Sequence, residues 1–255
     1  KALTEGNNIT DSELEKLNEL NNSCISYLSR IEAVKQQIAS LDSKVAAYDI
    51  DTVTSLDKET LQTLSKELKT LLDGLNLNKS ERKNVEGIYA ECNAILGRVL
   101  YVESEIKRID TTANSLNDGN LKSSHKEVVT ELISAIKKLT DGKNITESEK
   151  EKLEELDKLC QEHLDKIAEI IVHYKLLENR VNAYNIDSVK SSDITGINAL
   201  IKELKSALAT DNYTLKERMA LNDYISFCNN LIKRVNDVLA LFKVETVTNV
   251  AEMNC

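Results

Sequence analysis

Residues 144–181 read NITESEKEKLEELDKLCQEHLDKIAEIIVHYKLLENRV, and this stretch decides the fold. Its apolar residues are Leu153, Leu156, Cys160, Leu164, Ile167, Ile170, Tyr174, Leu177 and Val181, at steps of three and four. Steps of that size stack on one face of an α-helix and turn the charged residues to the other. No Pro interrupts the run, since the chain contains none. A helix of about 30 residues or more is expected, roughly 50 Å long at 1.5 Å per residue. It opens with Thr146 followed three places later by Glu149. That spacing is a capping box, in which each residue satisfies a backbone N–H of the other.

The same design occurs earlier, at Leu17, Leu20, Cys24, Leu28, Ile31, Val34, Ile38, Leu41 and Val45. Cys24, Cys92, Cys160 and Cys228 stand 68 positions apart, and the chain aligns with itself at that offset without a gap. Asn8-Ile9-Thr10 falls on Asn144-Ile145-Thr146, and Ala47-Tyr48-Asp49-Ile50-Asp51 on Ala183-Tyr184-Asn185-Ile186-Asp187. The capping pairs are Thr10/Glu13, Asn78/Glu81, Thr146/Glu149 and Thr214/Glu217. Four residues before each cap stands Gly6, Gly74, Gly142 or Thr210, a column that reads as a helix stop of the left-handed C-cap type. Gly87 and Gly97 lie inside the second long helix and weaken it.

Polar connections, Tyr48 to Leu56 and Tyr184 to Ser192, lead from each long helix to a shorter one. The short helix offers Leu61, Leu64, Leu68 and Leu71 in one copy, and Ile197, Leu200, Leu204 and Leu208 in the last. One long and one short helix leave half of the long apolar stripe bare. The expected solution is an all-α elongated rod of tandem three-helix bundles, each long helix being shared by two neighbours. The repeats would span residues 1–56, 57–124, 125–192 and 193–255, the first and last truncated, with bundles over roughly 24–100, 92–168 and 160–236. A segment cut from a longer array is the expectation.

With 33 Lys and Arg against 42 Asp and Glu, the net charge is -9. That balance argues against nucleic acid or an anionic membrane as partner, since both select clustered basic residues. No apolar run reaches the roughly 18 residues that span a bilayer, and Lys1-Ala2-Leu3-Thr4-Glu5 carries no signal-peptide pattern. A monomer with no membrane-inserted part is expected.

The stretch from Tyr48 to Val99, with Tyr-Asp-Ile-Asp-Thr-Val-Thr-Ser, Leu-Leu-Asp-Gly-Leu-Asn-Leu and Ser-Glu-Arg-Lys, resembles the helical repeats of large Gram-positive gut-bacterial surface proteins. Its copy from Tyr184 to Val235, with Ala-Thr-Asp-Asn-Tyr-Thr-Leu-Lys-Glu-Arg, is similar to the same pattern. More broadly the units resemble FIVAR-type three-helix modules and, in the shared helix, spectrin repeats. The resemblance implies an extracellular, wall-anchored setting in which such repeats act as stalks or bind host proteins.

Sites for chemistry are few. Four cysteines on the apolar face, some 50 Å apart in a rod, exceed the separation of about 4.4–6.8 Å that a disulfide needs. They read as buried free thiols. Cys255 has no counterpart and is a candidate for an exposed, bridging thiol or, equally, for an ordinary core thiol. His125, His163 and His173 do not recur at the period. Cys160 and His163 could share a metal but lack further ligands for a tetrahedral site. Glu154 and Glu155 fall on the polar side of a charged helix, without a cleft, and read as solvated surface. The Asp73-Gly74 and Asp141-Gly142-Lys143-Asn144 loops lack the alternating oxygen ligands of a calcium loop and read as helix caps. No phosphate loop or nucleophile elbow occurs. No catalytic, cofactor-binding or metal-binding residue is therefore assigned, and no cofactor is expected.

Tyr27, Tyr89 and Tyr101 are the aromatic residues off the core columns that could serve an interface, although packing explains such residues as well. The leading reading is a non-catalytic stalk or adhesin segment. The second is a host-protein-binding module, immunoglobulin being the candidate by analogy with three-helix immunoglobulin-binding domains. Ser26, Ala94, Glu162 and Asn230 share a column without common chemistry, which favours the spacer.

Overall fold

The computed structural model describes residues 9–253, with side chains up to Phe242. Among them there are seven α-helices and no strand. Long helices α1 (Asp11–Val45), α3 (Lys79–Ser115), α5 (Glu147–Asn182) and α7 (Leu215–Met253) alternate with short helices α2 (Lys58–Asp73), α4 (Lys126–Thr140) and α6 (Ile194–Leu208). Single 3-10 turns at Ser55–Asp57, Ser123–His125 and Ser191–Asp193 lead into the short helices.

All four expected long-helix starts are capped. The Glu13, Glu81, Glu149 and Glu217 carboxylates accept the backbone N–H groups of Thr10, Asn78, Thr146 and Thr214 at 2.8–3.0 Å. At Asn78, Thr146 and Thr214 the side-chain oxygen accepts the N–H of the Glu in return. The Thr10 hydrogen bond holds the Glu13 carboxyl below its ordinary pKa. A second set of caps opens the 3-10 turns, where Asp57, His125 and Asp193 accept the N–H of Thr54, Lys122 and Lys190. His125 thus uses its ring Nδ1 as a capping acceptor in a place held elsewhere by Asp.

Two compact units divide the chain: one holds Lys1–Ile106 and Leu139–Lys150, the other Lys107–Lys138 and Glu151–Cys255. In the first, one core joins Ile38, Leu41 and Val45 of α1 to Leu61, Leu64 and Leu68 of α2 and to Val85, Ile88, Cys92, Ile95 and Val99 of α3. In the second, one core joins Leu177 and Val181 of α5 to Ile197, Leu200 and Leu204 of α6 and to Leu221, Cys228 and Leu231 of α7. Each core therefore takes the C-terminal half of one long helix, a short helix and the N-terminal half of the next. Fully burying a Leu or Ile is worth about 1.5–3 kcal/mol, so these columns supply most of the stabilisation.

Two expectations need correction. The N-terminal half of α1 is not buried: Leu20, Leu28 and Ile31 are exposed, and so is Cys24. Among the described residues no second pair of helices lies against that half to form the core its stripe would enter. Nor does the glycine column use left-handed backbone, since no described residue has positive φ. Gly74 is extended, and its N–H closes the helix on Leu71 O at 3.3 Å. Gly142 N–H does the same on Leu139 O and Thr210 N–H on Ala207 O. The stop is a tight i−3 closure. At Gly74 a Cβ would come within 3.3 Å of the Leu71 carbonyl, so crowding explains the glycine. Gly6 lies outside the described residues.

Gly87 and Gly97 sit on exposed turns of α3, with open space where a Cβ would be. Gly97→Ala is expected to raise stability by about 0.5–1 kcal/mol, because alanine restricts the unfolded chain and meets nothing in the folded one. Urea denaturation of the single variant checks this.

Candidate functional site

Each connection after a long helix folds into the same turn. The Asp49 carboxylate accepts the Asp51 N–H, while Val53 N–H closes on Asp49 O at 2.9 Å. Asn117 and Asn185 repeat this with Gly119/Leu121 and Asp187/Val189. Such Asx turns fix the local chain while presenting carbonyls outward. In the first unit the carbonyls of Ile50 and Val53 both accept from Asn144 Nδ2, at 2.9 and 3.0 Å. Asn144 Oδ1 in turn accepts from Nε and Nη2 of Arg98, at 3.0 and 2.8 Å. Asn144 is only 5% exposed. The Arg98 guanidinium also lies over the Tyr101 ring, 5.7 Å from its centre.

In the second unit the same clamp forms 68 positions on. Asn212 Nδ2 donates to Asp118 O at 2.7 Å and to Leu121 O at 3.0 Å. Here the basic residue behaves differently: Lys166 pairs with the Asp118 side chain at 2.5 Å and leaves the amide. That hydrogen bond raises the Lys166 pKa. A third, partial clamp has Arg30 donating to Asn76 Oδ1 at 3.0 Å. Arginines of another column fasten the short-helix ends, Arg82 donating to Leu72 O and Gly74 O, and Arg218 to Thr210 O.

The apolar stripes alone do not reveal these residues. Two polar columns at the same period do: Asn8, Asn76, Asn144 and Asn212 are all Asn, and Arg30, Arg98, Lys166 and Arg234 are all basic. The recurring asparagine is the trace that the clamp leaves in the sequence at Asn76, Asn144 and Asn212.

The residues singled out by sequence do not converge. Tyr27 belongs to a core column, since Ile95, His163 and Leu231 at the same place are buried, and it is exposed for the same reason as Leu28. Tyr89 packs against the first core, and Tyr101 is half exposed under Arg98. Glu154 and Glu155 are exposed. Cys92, Cys160 and Cys228 are buried free thiols, and burial raises their pKa, that of Cys160 to about 11. Cys255 lies outside the described residues. His173 accepts or donates through Nδ1 to Tyr213 Oη at 2.7 Å, beside a shallow groove of about 390 Å³. Among the described residues no three His, Cys, Asp or Glu side chains gather as a metal site, and no helix is long and apolar enough to cross a membrane.

His163 is the exception inside a core. It is 4% exposed, its Nε2 meets Ala113 O at 3.2 Å, and its Nδ1 has no partner. A buried unsatisfied polar atom costs about 1–3 kcal/mol. His163→Leu restores the residue type of Leu231, and Ala113 O keeps the Leu116 N–H. A gain of about 1 kcal/mol in a thermal or urea melt is the expected result; a loss of stability would mean that the Nε2 bond outweighs the bare Nδ1.

Comparison with family models, with curated proteins and with solved structures gives no match.

Proposed function

We propose that this chain is a non-catalytic spacer segment of a bacterial cell-surface protein, a rod of tandem three-helix bundles with a 68-residue period. The observation that carries this reading is the clamp. The same asparagine amide grips the same two loop carbonyls at Asn144 and again at Asn212. A groove built for a ligand would vary its polar groups to suit the ligand, whereas an identical internal bond at each period serves the chain itself. In the rod, each clamp ties the loop that leaves one bundle to the start of a long helix in the next, so bending there must break buried hydrogen bonds. The extracellular setting follows from the resemblance of the repeat to surface-protein stalks.

Small-angle X-ray scattering tests the shape. A compact chain of this length has a radius of gyration of about 18 Å, while end-to-end long helices of about 50 Å each require a value well above that. A radius near the compact value sinks the rod. Immobilised segment exposed to serum addresses the host-binding alternative, and specific retention of immunoglobulin would replace the spacer reading.

A further inference from the structure

The two clamps share the asparagine amide nitrogen but differ in what meets the amide oxygen. In the first unit Arg98 fills that place, its Nε and Nη2 both donating to Asn144 Oδ1 while its guanidinium lies over the Tyr101 ring. One period on, three residues change together: Arg98 gives way to Lys166, Tyr101 to Glu169 and Ile50 to Asp118. Lys166 is drawn onto the Asp118 carboxylate at 2.5 Å, and Asn212 Oδ1 makes no hydrogen bond among the described residues. The surface around that oxygen is hollow. The shallow groove beside His173 and a second hollow of about 270 Å³ share Glu169, Ile170 and Asn212 as walls, and Leu121 adds apolar surface to the second. Asp118 offsets the charge of Lys166, so the exposed Glu169 carboxylate leaves the groove with net negative character.

We propose that this groove binds a guanidinium carried on an aliphatic stem, the chemistry of an arginine side chain, supplied by another molecule. The first clamp is the template. The incoming guanidinium would donate to Asn212 Oδ1, as Arg98 does to Asn144, and turn its other N–H groups to Glu169 while its stem lies on Ile170 and Leu121. A planar fork of five donors suits two separate acceptors better than the point charge of an ammonium does. Lys166 does not compete for the place, because Asp118 holds it aside. The asparagine donor half, which carries the spacer reading, is the same in both units and serves the chain. Only the basic half differs, and there the second unit gains a binding site. A chain that binds no guanidinium would leave the scattering test of the rod untouched.

Nuclear magnetic resonance titration of the isotope-labelled full chain provides the test. The probes are n-butylguanidinium, a free small cation, and acetyl-Ala-Arg-Ala-amide, which presents the same group from a peptide; acetyl-Ala-Lys-Ala-amide carries the charge without the fork. The Asn212 side-chain resonances should shift saturably with a Kd on the order of 1 mM. A shift with both guanidinium probes assigns the site to the group itself, with the peptide alone to an arginine of a polypeptide, and with n-butylguanidinium alone to a small molecule. Lys166→Arg combined with Asp118→Ile rebuilds the first clamp from the chain's own residues and should weaken binding about tenfold or more. Glu169→Gln, at an exposed position, should weaken it as well and keeps the test open should the double variant fail to fold, which circular dichroism would show. The absence of a saturable shift at about 10 mM of either guanidinium probe overturns the proposal. So does a lysine peptide that binds as tightly as the arginine peptide, or a folded double variant that binds as tightly as the native chain.

Discussion

Asn144→Ala is expected to destabilise the first unit by about 3 kcal/mol, read as a lower urea midpoint at unchanged slope. The truncation leaves the Ile50 and Val53 carbonyls without their donor, the Val53 bond being buried and the Ile50 bond partly so, and strands the Arg98 guanidinium beside them. Each buried group left bare costs about 1–3 kcal/mol, so the combined loss exceeds that of any surface change. Asn144→Asp separates the two halves of the clamp. Aspartate still accepts from Arg98 but offers the loop no donor and faces two carbonyls with negative charge. It should therefore do no better than alanine in spite of the ion pair. If Asn144→Ala shifts stability by no more than about 0.5 kcal/mol, as ordinary surface substitutions do, the clamp does not hold the junction.

Lys107→Pro should cost about 3 kcal/mol or more, a fall in melting temperature of roughly 6–12 °C. Lys107 is exposed in the interior of α3, so the loss would come from the backbone: proline removes one helical N–H and drives its ring into the carbonyl one turn earlier. Lys107→Ala, which keeps the backbone, is the control and should be nearly neutral. The substitution lies where α3 passes from one compact unit to the other. In the spacer reading the continuous helix makes neighbouring bundles unfold together, so proline should also divide one calorimetric transition into two. A single transition unmoved by proline would refute the shared helix.

Much of this was legible in advance, for identifiable reasons. The long helices announce themselves through three-and-four spacing and the Thr/Asn-x-x-Glu caps, both of which are local and need no knowledge of the partner. Leu153, Leu156, Cys160, Ile167, Leu177 and Val181 are buried where the stripe places them. Burial of a helix face depends on what lies opposite, however, and for this reason Leu20, Cys24 and Leu28 read as core from spacing but are exposed. The glycine column marks where the short helices stop but not how, because a tight i−3 closure and a left-handed cap both favour the same residue. The clamp leaves no local signature because Asn144, Arg98 and Ile50 lie far apart in sequence, and only the recurrence of their polar columns links them.

The clamp also bears on how such a chain changes in length over generations. Its donor, its loop and its basic residue come from three different stretches, yet each belongs to a column that recurs every 68 positions. An in-frame loss or gain of one whole period, wherever the breakpoints fall, removes or adds one member of every column at once. The splice then meets an Asn, a basic residue and a loop in the register it left. Unequal recombination between gene segments can in this way lengthen or shorten the protein in a single event without spoiling a junction, whereas any other deletion size would leave an amide facing the wrong turn of helix.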